Sequence, residues 1–190
     1  MAQAQQKERT LVLTEAGIAK EGTDTDEVVI AISVGFNEMK DETLAGVRHA
    51  EIIREMMAGI EEEGVTGRVV RFYDNLDLGV IGLRGAKLSG SGIGIGIQTR
   101  GTTLIHQEDL VPLSNLELFP QAPLIDLETF RAIGKNAARY AKGETPEPVP
   151  VANDPMARPT YQALAALWHI KEMGYKDESK EPMEMEVSYE

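Results

Sequence analysis

The sequence predicts an α/β fold, and three neighbouring segments carry that prediction. The run Val28, Val29, Ile30, Ala31, Ile32 begins abruptly after Asp26 and Glu27 and shows no alternation, the pattern of a strand buried on both faces. From His49 to Glu63 the apolar residues Ile52, Ile53, Met56, Met57 and Ile60 recur at helical spacing, and Gly64 follows as a stop. Arg68 to Tyr73 is a second strand candidate. Strand, helix and strand in that order predict a right-handed parallel unit.

The remaining elements follow along the chain. Residues 1–26 form a polar N-terminal arm carrying Gly17 and Gly22, and 27–143 form the α/β core. Asp77 to Leu88 fits neither period cleanly, and Gly79, Gly82 and Gly85 weaken both a helix and a strand; helix is the preferred reading. Ile93 to Gln98 reads as a third strand and Thr102 to His106 as a fourth extended run. A proline-punctuated loop, Pro112 to Pro123, leads to a helix opened by Asp126 as N-cap. Leu127, Phe130, Ile133, Ala137 and Tyr140 share one of its faces and Gly143 ends it. Residues 144–174 hold a stiff linker with Pro146, Pro148 and Pro150, because repeated prolines fix φ, followed by a C-terminal helix. That helix carries Tyr161, Leu164, Ala165 and Trp168 as a stripe and stops at Gly174. The tail, 175–190, has six acids against two lysines and reads as a solvated end or a surface strap.

Composition removes several function classes. A length of 190 residues suits one core with appendages. The net charge of -12 and pI near 4.8 argue against nucleic acid and against acidic lipid surfaces, since phosphate neutralisation needs clustered Lys and Arg. With no cysteine there is no disulfide, thiolate nucleophile or zinc-thiolate site. Met1 to Leu13 lacks the apolar core of a secretory signal, and no stretch approaches the roughly 20 apolar residues of a membrane span. The expected setting is cytoplasmic.

The most unusual segment is Ser89 to Ile97, where Gly90, Gly92, Gly94 and Gly96 repeat with strand period and leave one strand face as bare backbone. Either a neighbouring helix or strand packs closely there, or the face is a platform for a flat ligand. The spacing is not that of a dinucleotide fingerprint or a phosphate loop. His49, His106 and His169 stand far apart with no ligand partner at i+2, i+3 or i+4, so no metal site is expected. No serine nucleophile elbow is present. The acid runs at 61–63 and 24–26 read as solvated surfaces. No catalytic cluster emerges from these residues.

Three segments carry a family resemblance: LSGSGIGIGIQTRGTTLIHQ from Leu88, PLSNLELFPQAPLIDLETFRAIGKNAARYAKGE from Pro112, and NDPMARPTYQA from Asn153. Together they resemble the medium subunit of adenosylcobalamin-dependent diol and glycerol dehydratases, from about Leu13 to the last helix. The resemblance implies a Rossmann-like parallel sheet core with flanking helices and a C-terminal helical extension. It implies a lyase subunit, inactive alone, in a dimer of heterotrimers with large and small subunits, with transient contact to a reactivating factor. The radical chemistry would occur in the large subunit, while the medium subunit covers the lower face and nucleotide of cobalamin. The cofactor contacts it implies fall on Asp77, Leu78, Arg100, Leu113, Asn115, Leu118, Pro120, Arg158 and Tyr161, with no catalytic or metal residue in this chain. Leu113, Leu118 and Pro120 suit a benzimidazole face, Asn115 can offer amide hydrogen bonds, and Arg158 can approach the phosphate as a planar donor. Arg100 stands where relatives have lysine, and Ala165 where they have serine. No histidine lies in an Asp-x-His-x-x-Gly motif, so the cofactor is expected to keep its own base as lower ligand. Met1 to Thr10 is too short and polar for the targeting helix of microcompartment relatives. The small subunit of the reactivating factor, which has a related core, is the competing reading. The intact segment after Pro112 speaks against it. A free-standing α/β enzyme has no residue cluster to support it.

Overall fold

The computed structural model describes residues 10–120, 125–152 and 158–190. In chain order these form β1 (Leu11–Ile18), β2 (Glu27–Ser33), α1 (His49–Glu62), β3 (Thr66–Phe72), α2 (Leu78–Leu88), β4 (Ile93–Ile97), β5 (Thr103–Gln107), β6 (Glu117–Phe119), α3 (Leu127–Ala141), α4 (Arg158–Met173) and β7 (Met183–Tyr189). One seven-stranded sheet runs in the order β1-β7-β3-β2-β4-β5-β6. The fold is α/β, with the three inner strands β3, β2 and β4 parallel. The sheet as a whole is mixed: β5, β6, β7 and β1 all pair antiparallel with their neighbours. The reason lies in connection length. A parallel return needs a crossover of a dozen or more residues, and the turn from Ile97 to Thr103 is too short for one. Gly101 makes that turn at φ +101°, and its N–H donates to the Gln98 carbonyl at 2.8 Å.

β2 is buried throughout, as its unbroken apolar run predicts, and its alternate residues serve different layers. Val28, Ile30 and Ile32 join the main core beneath α1 and α3, with Ile93, Ile95 and Ile97 of β4 beside them. Val29 and Ala31 face the other way, toward Ile81 of α2 and Val70 and Phe72 of β3. The segment 77–88 is thus a helix, capped by Asp77, whose Oδ1 accepts from the Val80 N–H at 3.0 Å. Its glycines and those of β4 explain each other. A Cβ on Gly94 would stand 2.5 Å from the Ala86 nitrogen, and one on Gly96 would stand 3.0 Å from the Gly82 Cα. The bare face of β4 is the seat of α2 and offers no platform to a flat ligand. A second glycine contact joins α1 to α3, where Gly134 lies against the Met56 carbonyl and Gly59 against that of Arg131.

Three sequence expectations change. The proline-punctuated loop contains β6, which pairs Thr103 with Phe119 and Leu104 with Leu118. The acidic tail is neither a solvated end nor a strap: β7 lies between β1 and β3, with Met183, Met185, Val187 and Tyr189 packed on the core. Its Glu184 accepts from Arg68 Nη1 at 2.8 Å, so at least one of its acids enters the fold as an ion pair. The acid run at 61–63 is likewise not merely solvated. Glu62 pairs with Arg131 and Lys135, and Glu63 with Arg139 and Lys142, tying α1 to α3. Exposed pairs of this kind contribute little each.

Candidate functional site

The residues singled out from sequence gather at the end of the molecule where the parallel strands finish, in two groups. Asp77 and Leu78 open α2, and the neighbouring Gly79 lies directly against the Pro112 carbonyl, which brings Leu113 beside that helix start. Leu118 lies opposite Leu104 on the sheet, and Leu104 reaches toward Gly82, so Leu118 shares the α2 face. Leu113 is 92 % exposed and Leu118 53 %, with Val111 at 63 % nearby in sequence. Asn115 is half-buried and Pro120 exposed on the same connection. Asp77 already spends one carboxylate oxygen on its cap, which leaves the other for a ligand. This group is an open wall of apolar side chains with polar groups at its margin.

The second group centres on Arg100 and Tyr161. Together with Thr43, Leu44, Ile125 and Phe130 they line a cavity of about 10 Å³, room for a single water. Arg100 is half-buried; its Nε donates to Thr102 Oγ1 at 3.3 Å and its Nη1 reaches the Ala165 carbonyl at 3.5 Å. Burial lowers its pKa below the ordinary arginine value, and the charge of Glu172 partly offsets this. Arg158 opens α4, but its side chain lies outside the described residues, as does Asp154, its alternative partner. Among the described residues nothing encloses a volume fit for a corrin or a nucleotide.

α4 meets the core through a residue that the sequence reading passed over. Glu172 is 3 % exposed, and its Oε1 accepts three hydrogen bonds. Ser33 Oγ donates at 2.5 Å, Thr99 Oγ1 at 2.6 Å and the Gly35 N–H at 3.0 Å. Ser33 ends β2, and Thr99 follows β4 by two residues, so the carboxylate caps the parallel strands where β3 and β4 diverge to either side of β2. In open α/β sheets that crevice is the usual ligand position. Here the chain's own helix fills it. The available signal was spacing, since Glu172 continues the stripe Tyr161, Ala165, Trp168 at helical period.

Two other polar residues near this end are defined. Gln98 donates to the Leu76 carbonyl at 2.5 Å, and its buried Oε1 has no partner. His49 is fully buried and stacks on Phe36 at 3.8 Å with an interplanar angle of 11°. Its Nδ1 accepts from the Asn37 N–H at 3.0 Å, so the ring proton sits on Nε2, which donates to the Thr99 carbonyl at 2.8 Å. Burial pushes its pKa down to about 4. This neutral ring supports the loop behind the site.

Solved structures similar to this chain include two reactivating proteins. "Glycerol dehydratase reactivase" aligns at 21 % identity with a TM-score of 0.49, covering 63 % of this chain and 93 % of that one. "Structure of diol dehydratase-reactivating factor complexed with ADP and Mg2+" aligns at 24 % identity with a TM-score of 0.47, covering 63 % of this chain and 94 % of that one. Likeness at that level carries no functional argument. A family model described as "Dehydratase medium subunit" matches residues 31–147, which run from the end of β2 through β3 and β4 to the exposed wall after Pro112 and α3. By that match the chain belongs to the dehydratase medium subunit family.

Proposed function

We propose that this chain is the medium subunit of an adenosylcobalamin-dependent diol or glycerol dehydratase and forms one wall of the cofactor site. The observation that carries the reading is the display of Leu113, at 92 % exposure, beside Leu118 and the start of α2. A leucine so exposed contributes nothing to this chain's core, and a contiguous apolar surface in water is a cost unless something covers it. The planar base of the cofactor's nucleotide suits Leu113, Leu118 and Pro120. Asn115 would offer its amide, and Asp77 its free carboxylate oxygen. Arg100, Arg158 and Tyr161 would serve the phosphate side, with Leu78 closing the margin. The cofactor, when bound, supplies the radical chemistry that turns a 1,2-diol into an aldehyde and water. This chain's share is to bind and orient it base-on and to exclude water from its lower face.

On this reading the parallel trio is the Rossmann-like part of the fold. The chain works in the cytoplasm within a dimer of heterotrimers, exchanging transiently with a reactivating factor. It has no activity alone. The test is cofactor titration of the assembled complex carrying Leu113→Glu. A fall in affinity of at least about tenfold, or about 1.4 kcal/mol, with assembly intact is the expected outcome. Unchanged affinity would reject the wall, and turnover of propane-1,2-diol or glycerol by the isolated chain would reject the subunit role.

A further inference from the structure

α4 is amphipathic the wrong way round for a helix of a free-standing protein. The side facing the core carries Ala165 and the carboxylate of Glu172, both buried. The side facing solvent carries Leu164 at 39 % exposure, Leu167 at 62 %, Ile170 at 67 % and Met173 at 55 %. Each three-residue step drifts about 60° around the helix, so Leu167 and Ile170 point directly away from the core and Leu164 and Met173 flank them on the solvent-facing half. A helix held by hydrophobic burial would turn its leucines inward. This one is held by three hydrogen bonds to Glu172 and by the Arg100 contact with the Ala165 carbonyl. Those bonds fix its rotation about its own axis, so the apolar side is presented outward by construction.

We propose that this outward face of α4 docks an unlike subunit of the dehydratase complex; the proposal rests on the reading of the chain as a dehydratase subunit. Two observations select the occupant. The four side chains expose on the order of 400 Å², within the range where a patch on a monomer marks an interaction site and about half of one partner's share in a standard interface. The patch is therefore the apolar centre of a larger contact. Its charge is also unlike the rest of the chain. From Pro159 to Lys171 there is no acidic residue, although the chain has 31 acids and a net charge of -12. Lys171 lies on the exposed side, and Lys40 stands over the Trp168 ring at 5.7 Å. Two copies of this chain would bring like net charges and like lysines together. The face suits a partner surface that is apolar at its centre and acidic at its rim.

The experiment is co-expression of the full chain with the large and small dehydratase subunits, one of them tagged, and recovery of untagged medium subunit. Leu167→Glu and Ile170→Glu should each reduce recovery at least tenfold, while circular dichroism and the thermal midpoint of the purified chain stay as in the wild type. A paired Leu167→Gln, Ile170→Gln variant removes apolar area without adding charge and should reduce recovery as well. It keeps the test decisive if a glutamate variant fails to fold. Leu113→Glu should be recovered normally, because it alters only the cofactor wall. Recovery of the α4 variants at wild-type yield would overturn the proposal while leaving the subunit reading intact. A wild-type chain that is dimeric alone by light scattering, with monomeric α4 variants, would overturn it in favour of self-association. Failure of the wild-type chain itself to be recovered would overturn both readings.

Discussion

Protonating His49 should destabilise the fold as pH falls from 6.5 towards 4. The neutral ring is a donor at Nε2 and an acceptor at Nδ1. A second proton on Nδ1 would face the Asn37 N–H and place two donors against each other inside a fully buried stack. The folded value of about 4 lies below the ordinary 6.5. The unfolded chain therefore binds more protons between those values, and stability falls as pH drops from 6.5 towards 4. Above 6.5 both states are neutral and nothing is lost. At about pH 5 the loss works out at about 2 kcal/mol, and its limit below pH 4 is about 3 kcal/mol. Glu184, whose pKa burial raises, acts in the opposite sense, and it is present in both the wild type and His49→Gln, so its contribution cancels in the comparison. The assay is urea unfolding of the wild type and His49→Gln at about pH 7 and pH 5. The wild type should lose about 2 kcal/mol between the two and the variant less than about 0.5. Equal losses in both chains would refute the assignment of the tautomer and its burial.

Two further outcomes follow from the geometry and a third from the proposed cofactor wall. Gly94→Ala should cost about 1–3 kcal/mol in chemical denaturation, because its methyl would press on the α2 backbone at Ala86; an unchanged midpoint would mean that α2 can lift away. Glu172→Ala removes the acceptor shared by the Ser33 and Thr99 hydroxyls and the Gly35 N–H, and should loosen α4 by at least about 2 kcal/mol. Limited proteolysis should then cleave within residues 144–157 faster, and an unaltered rate would reject the anchor. Arg158→Ala should weaken cofactor binding in the assembled complex by about 1.5–3 kcal/mol without loss of assembly, the scale of a charge-assisted hydrogen bond. Unchanged affinity would remove it from the phosphate side, and failed assembly would give it a structural role.

Local signals set most of the elements. The β-branched run Val28 to Ile32 could only be a doubly covered strand, and Asp126, accepting from the Thr129 N–H at 2.9 Å, starts α3 where an N-cap was expected. Gly64 and Gly143 end their helices at positive φ. The strand at Met183–Tyr189 was also legible, since Met183, Met185, Val187 and Tyr189 alternate with Glu184, Glu186 and Ser188. Its charge obscured that period, because a composition count ignores which face each residue occupies. The candidate wall was legible only through family likeness. Nothing local distinguishes Leu113, fully displayed, from Leu116, which packs on the core.

By itself the sequence determined the α/β class, the absence of thiol chemistry, the helix and strand periods of the core, and the family, because these depend on residue type and near-neighbour spacing. Only the tertiary structure decided what covers the glycines of β4, where the tail goes, and which side of α4 faces inward. Each of those depends on partners far apart in the chain: Gly94 with Ala86 across a helix and sheet, Met185 with Val69, and Glu172 with Ser33 over 139 positions. The last is the clearest case. Amphipathic pattern alone puts Leu164 in the core beside Ala165, whereas three donors at the ends of β2 and β4 hold Glu172 there and turn the leucines to the surface. A buried carboxylate with its donors met can outweigh the hydrophobic preference of one helix, and no window along the chain contains both halves of that interaction.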